Sequence, residues 1–242
     1  MHQARRDNCV MCGLHRVCFL ARIARGSGQS TNALRIRRTR IANGHALYRA
    51  GDRIESLYMV RSGCIKEIDG ADSAHDSIAN FCLPGELLTL QSADASCSRT
   101  TCLAVESSFI CAFPWRMVEH ACAAAPDVVG ELIKLITKSG AATRELLTMI
   151  RNKDALQRVA GFSLNMCARL PSRGLQGREF WLGMSREDIA QYLGLRSETV
   201  SRCFSELARR GLVGVHAKRI RVLAPAELRN LFLGEVDESI SV

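Results

Sequence analysis

No stretch of this 242-residue chain approaches the ~20 consecutive apolar residues of a membrane-spanning helix. The N-terminal Met-His-Gln-Ala-Arg-Arg run also lacks the apolar core of a secretion signal. Both absences point to a soluble, cytoplasmic chain with no membrane partner. The signatures of common enzyme classes are missing too. There is no G-x-G-x-x-G, P-loop, H-E-x-x-H or G-x-S-x-G, and the six histidines are scattered without metal-ligand spacing. Catalysis is not expected. The cysteine count is 11, an odd number. In a chain without an export signal this argues against a disulfide framework. It favours a reducing compartment in which some thiols serve a metal site.

Apolar residues make up 47% of the chain, enough for real hydrophobic cores, and the formal net charge is +9. That charge permits a polyanionic partner without proving one. The most telling feature is a C-x2-C-x5-C run formed by Cys9, Cys12 and Cys18. Three thiols on so short a segment are too crowded for core packing. They read as three of the four soft ligands of an iron–sulfur cluster or a zinc ion. Three ligands on one segment plus one distant ligand is nearer to cluster ligation than to the paired C-x2-C knuckles of structural zinc. By spacing alone Cys97, Cys102, Cys111 or Cys122 could be the fourth. His15 lies inside the run and is read as a surface or supporting residue. The remaining cysteines lie singly in apolar or mixed segments, as small buried hydrophobes do.

Four segments follow in order, giving an α+β chain. Residues 1–30 hold the cysteines and end in the flexible Arg25-Gly-Ser-Gly-Gln-Ser30. Residues 31–125 carry short β-like runs, among them Ser56–Ser62, Cys64–Ile68 and Ser77–Leu83, with a turn at Ser62-Gly63. Such runs predict an antiparallel β-roll or sandwich. Residues 126–153 form one long helix, on which Leu132, Leu135, Ile136, Thr143, Leu146, Leu147 and Ile150 recur at three- and four-residue spacing. That stripe is longer than one small roll can cover. A homodimer is expected, with Leu132, Ile136, Thr143, Leu147 and Ile150 at its interface.

Residues 154–242 read as a winged helix-turn-helix. A helix over Ala155–Leu170 precedes a short strand at Phe180–Leu182. Ser185–Leu193 opens with a capping pattern from Ser185 and Asp188, and Gly194 breaks the run. A second helix over Arg196–Arg210 ends at Gly211, and Leu212–Val222 alternates like a two-stranded wing. On the second helix Glu198, Ser201 and Arg202 share a polar side suited to the major groove. Glu198 can accept from cytosine N4, and Arg202 can donate two bonds to guanine. Arg196, Ser197, Arg209, Arg210, Lys218, Arg219 and Arg221 are candidates for phosphate contacts, which add affinity without sequence preference.

The segment Asp188–Arg202, together with Gly51–Gly63 and Pro84-Gly85-Glu86, resembles the CRP/FNR family of bacterial regulators over nearly the whole chain. The N-terminal cysteines resemble its FNR branch, the oxygen-responsive fumarate–nitrate regulators. The resemblance implies a cyclic-nucleotide-binding-like roll and a long dimerisation helix. It implies a [4Fe–4S] cluster on Cys9, Cys12, Cys18 and Cys111, the last matched in Phe109-Ile-Cys-Ala-Phe-Pro114. It further implies that oxygen converts the cluster to [2Fe–2S] with loss of the dimer and of DNA binding. The implied partners are a two-fold symmetric operator with half-sites like TTGAT, and RNA polymerase. Two alternatives remain: a zinc-site regulator, and a CRP-like regulator that binds a cyclic nucleotide. For the latter, Gly85-Glu86 and Arg99-Thr100 are present. The stretch between them is longer than the family's pocket loop, and Arg144 follows Thr143 where a small polar residue is expected.

Overall fold

The computed structural model describes residues 12, 14, 18, 36–69, 77–88, 97–124, 126–169 and 179–235, apart from the side chains of 138–143 and 145. These fall into two compact units, 1–142 and 143–242.

Seven strands build the first unit: β1 (Arg37–Ile41), β2 (Ala46–Tyr48), β3 (Ser56–Ser62), β4 (Ile65–Asp69), β5 (Ser77–Cys82), β6 (Thr100–Ala104) and β7 (Ser108–Pro114). They pair antiparallel into a three-stranded sheet, β1-β7-β3, and a four-stranded sheet, β2-β6-β4-β5. Strand side chains alternate between faces, so each residue's parity decides its core. Ile41, Val60 and Ile110 of the first sheet meet Ile65, Cys82, Cys102 and Ala104 of the second in the roll interior. Leu57, Met59 and Phe113 bury the opposite face of the first sheet in a separate core. Helices α1 (Trp115–Ala124) and α2 (Pro126–Ile150) cover that face through Val118 and Val128.

The roll interior also encloses polar groups. Glu67 and Cys102 are fully buried and Tyr48 nearly so. Asn80 Nδ2 donates to Glu67 Oε2 at 3.2 Å. Burial, reinforced by the neighbouring Glu67, pushes the Cys102 thiol well above its ordinary value of 9.0. Burial likewise pushes the Tyr48 phenol far above 10.0, with Cys102 adding to the effect. Both groups stay protonated in the folded roll but ionise once unfolded, so the native state holds more protons at high pH. Their contribution is complete below the unfolded-state values and is lost as pH rises past them. The roll's thermal midpoint should therefore fall above about pH 9. Tyr48→Phe should shallow that decline in a melting series from pH 7 to 10.5; an unchanged slope would contradict the assignment.

The second unit contains the end of α2, then α3 (Ala155–Arg169), β8 (Glu179–Trp181), α4 (Arg186–Leu193), α5 (Ser197–Arg209), β9 (Val213–His216), β10 (Arg219–Val222) and α6 (Pro225–Leu233). The strands form one antiparallel sheet in the order β8-β10-β9. Val159, Phe162, Ile189, Leu193, Val200, Phe204, Leu207, Ile220 and Leu228 are buried in its core. Gly161 lets α3 and α6 approach closely, because a Cβ there would lie 2.8 Å from the Phe232 ring. Among the described residues no helix is long and apolar enough to cross a membrane.

Candidate metal centre and nucleic-acid interface

Cys12, Cys18 and Cys111 line one cavity, together with Leu14, Arg38, Met59, Val60, Arg61 and Phe113. Cys111 lies on β7, the central strand of its sheet, opposite Arg38 of β1 and Met59 of β3. Period-two alternation puts it on the same face as Phe113, away from the roll interior. Leu14 is buried, and its carbonyl accepts from the Cys18 amide at 2.7 Å. Cys18 and Cys111 pack on the same core as Leu132 and Leu135 of α2. Of the other candidates for a fourth ligand, Cys102 points into the roll interior and Cys97 is exposed. Cys122 packs on the same core as Cys111 but does not line the cavity. Cys9 and His15 lie outside the described residues. Among those described, no group of three or more His, Cys, Asp or Glu side chains is placed to hold a metal ion.

Helix α2 carries two apolar stripes. Val128, Leu132 and Leu135 turn inward to the core under the first sheet. Val129, Ile133 and Ile136 face solvent, Ile133 with 57% of its surface exposed, and Leu147 is 53% exposed further along. Leu132, expected at a dimer interface, is half-buried in its own chain, while its neighbour Ile133 is exposed. The reason is the 3.6-residue repeat, which puts positions 132 and 133 about 100° apart around the helix. Ile150 is half-buried, and the Thr143 side chain lies outside the described residues.

In the second unit a reciprocal capping box opens α4. Ser185 Oγ accepts from the Asp188 amide at 3.0 Å, and Asp188 Oδ2 accepts from the Ser185 amide at 2.9 Å. Gly194, at φ 64°, closes the helix in the left-handed conformation that glycine adopts without strain. Arg158 of α3 donates to the Leu193 carbonyl at 3.1 Å, and Arg186 lies 4.0 Å over the Phe204 ring. The first contact ties α4 to α3 and the second ties it to α5. Val200, Cys203, Phe204 and Leu207 face inward from α5, leaving Glu198, Ser201, Arg202 and Ser205 exposed. Ser201 Oγ donates to the Ser197 carbonyl at 3.0 Å, so that hydroxyl is partly used within the helix. Among the described residues neither Glu198 nor Arg202 forms an ion pair.

The basic residues divide. Arg196, Lys218 and Arg221 are exposed, and Ser197 is half-buried at the start of α5. Arg219 is paired with Glu179 at 3.0 Å. Arg209 and Arg210 are both held by Glu206 at 2.7 Å, and their hydrogen bonds hold that carboxylate down to about 2. These three arginines would exchange an existing partner for a phosphate.

A Crp-like helix-turn-helix domain model matches residues 157–231, and a cyclic nucleotide-binding domain model matches 38–125. The chain is similar to the transcriptional activator protein Anr of Pseudomonas protegens, 29% identical over 95% of this chain and 94% of the relative. It is also 29% identical to the fumarate and nitrate reduction regulatory protein of Vibrio cholerae, over 93% of this chain and 90% of that one. This chain belongs to the CRP/FNR family. It is a DNA-binding transcription regulator with the family's fold. The structure of FixK2 from Bradyrhizobium japonicum superposes with a TM-score of 0.73 at 27% identity, covering 82% of this chain and 98% of that one.

Two of the cyclic-nucleotide candidates, Gly85 and Glu86, form a structural turn here. Glu86 Oε2 accepts from the Leu83 amide at 2.9 Å and closes its own turn beside Gly85, at φ 86°. Several residues of the two sites went unread in sequence. Arg38 and Arg61 carry no spacing signal that ties them to the cysteines. Arg158 and Arg186 act across helices far apart in sequence. Glu206 could have been found, since Arg209 and Arg210 follow at the three- and four-residue spacing of helical ion pairs.

Proposed function

We propose that this regulator is oxygen-responsive, that Cys9, Cys12, Cys18 and Cys111 hold a [4Fe–4S] cluster, and that its presence favours an operator-binding homodimer. The observation carrying the reading is the shared cavity of Cys12, Cys18 and Cys111, walled by Leu14, Met59 and Phe113. Each thiolate of such a cluster binds a different iron, so thiols spread around a cavity suit it better than they suit a single zinc ion. When bound, the cluster supplies a redox-active group that oxygen can oxidise.

The protein's part is mechanical. Cys18 and Cys111 pack on the core that seats Leu132 and Leu135, so a group tying these cysteines together also steadies the base of α2. A ligand that binds only the dimer-competent state stabilises it by mass action. Val129, Ile133, Ile136, Thr143, Leu147 and Ile150 follow coiled-coil spacing along α2, and a second copy would cover that seam. A two-fold dimer reads a two-fold operator, in the cytoplasm where the chromosome lies, and RNA polymerase is the partner an activator engages.

Base reading falls to Glu198, Ser201 and Arg202. Arg202→Ala should cost about 1–3 kcal/mol on the preferred site and relax preference at one base pair of each half-site. Lys218→Ala, which removes only a phosphate contact, should weaken all sequences alike and flatten the salt dependence. Anisotropy on matched and single-mismatch operators, before and after air exposure, tests both halves of the reading. Equal weakening of every sequence by Arg202→Ala would remove α5 as the reader. Affinity indifferent to air would remove the oxygen response.

A further inference from the structure

Arg38 and Arg61 are the two charged residues lining the cysteine cavity, whose other walls are thiol or apolar. Arg38 is the direct cross-strand partner of Cys111, so the two side chains leave the sheet on the same face, about 5 Å apart at their Cβ atoms. Arg61 reaches the cavity from β3. It follows Met59, the other cross-strand partner of Cys111, by two residues, so alternation puts it on the same face of the sheet. The register against β7 slips between Val60 and Ser62, just where Arg61 joins the cavity lining.

We propose that Arg38 and Arg61 are positioning counter-charges that hold the electrons of the thiolate-bound centre against oxidation. This rests on the iron–sulfur reading above. Four thiolates around a [4Fe–4S] core of charge 2+ carry a net 2−. If the bound group gave one electron to dioxygen, which would become superoxide, the net charge would fall to 1−. Two fixed positive charges stabilise the 2− state more than the 1− state, most strongly where apolar walls keep the local dielectric low. They therefore raise the potential and oppose electron loss.

The test uses full-length protein purified without oxygen: wild type, Arg38→Gln, Arg61→Gln, and the matching Lys variants. Iron and sulfide are assayed first. The decay of the visible absorbance in air-equilibrated buffer and the midpoint potential follow. Each Gln variant should decay about tenfold faster, the lower end of what one hydrogen bond to a charged group is worth, and its potential should drop. The Lys variants keep the charge and should stay near wild type. Gln variants that fail to retain iron while Lys variants load fully would support the proposal as well. Decay and potential unchanged in both Gln variants overturn it, as do Gln and Lys variants impaired alike, which would make the role one of packing. A wild type without iron and sulfide overturns the iron–sulfur reading and this proposal together.

Discussion

Cys111→Ser is expected to leave the anaerobically purified protein without its iron and sulfide while the helix-turn-helix unit stays folded. Cys111 is held in the middle of β7, hydrogen-bonded on both sides by β1 and β3, so the strand cannot slide to offer another donor. Serine keeps the shape but offers a hard oxygen that stays protonated at neutral pH, where soft iron–sulfur chemistry needs a thiolate. Cys9→Ser, Cys12→Ser and Cys18→Ser should behave alike, because a cluster missing one of its anchors leaves an iron open to water. Cys167→Ser and Cys203→Ser are the controls. Both cysteines are buried in the other unit, where burial pushes the Cys167 thiol up to about 11 and raises that of Cys203. Such protonated thiols are packing groups, and their loss should leave the iron content unchanged. Iron and sulfide assays with sedimentation velocity read the result, and the Cys111→Ser protein should sediment as a monomer. Full iron in Cys111→Ser with loss in Cys122→Ser would move the fourth ligand to α1, since Cys122 packs on the same core.

How much of this could be read beforehand depended on whether the signal was local. The strand Ser56–Ser62 is found as predicted, because alternation and the Ser62-Gly63 turn are local features. The capping box of α4 and the glycine after it are likewise written within a few residues, and the reading helix follows within one residue of its expected bounds. Helix α1 was not read. Its run Trp115–Ala124 sits between Pro114 and Pro126, ends in small residues, and buries only Val118 fully, so its periodicity is faint. Helix α6 gives a similarly faint signal: Leu228 is its one fully buried residue. The two stripes of α2 were merged into one, because periodicity gives an apolar sector and not the direction it faces. The cavity was half legible. The C-x2-C-x5-C run marks one wall, but Arg38, Met59 and Arg61 reach it only through strand register. Register joins residues tens of positions apart, which no window along the chain can see.

Gly63→Ala should destabilise the first unit by about 2–5 kcal/mol, the sum of left-handed backbone strain and overpacking. Gly63 links β3 to β4 at φ 84°, a conformation that costs an L-residue about 1–2 kcal/mol. Space is the larger problem. A Cβ at this position would lie 2.7 Å from the Ser108 Cα and 2.8 Å from its Cβ, and closer still to its hydroxyl. Backbone in the middle of a sheet cannot yield as a side-chain tip can. Ser108 is itself fully buried and tightly tied. Its Oγ accepts from the Cys64 amide at 3.1 Å and donates to the carbonyls of Glu106 and Cys64 at 2.8 and 3.3 Å. Pushing it away breaks these bonds and shifts the start of β7, three residues before Cys111. A loss of this size is a large part of the 5–15 kcal/mol that holds a typical domain together. Calorimetry of wild type and variant should show the transition of the first unit falling by about 10 °C or more, with that of the second unit unmoved. Iron retention should fall with it, because the strand that offers Cys111 is the one displaced. A first transition within a degree of wild type would mean that the turn can open away from Ser108, and the close approach would then not be what sets the register of β7.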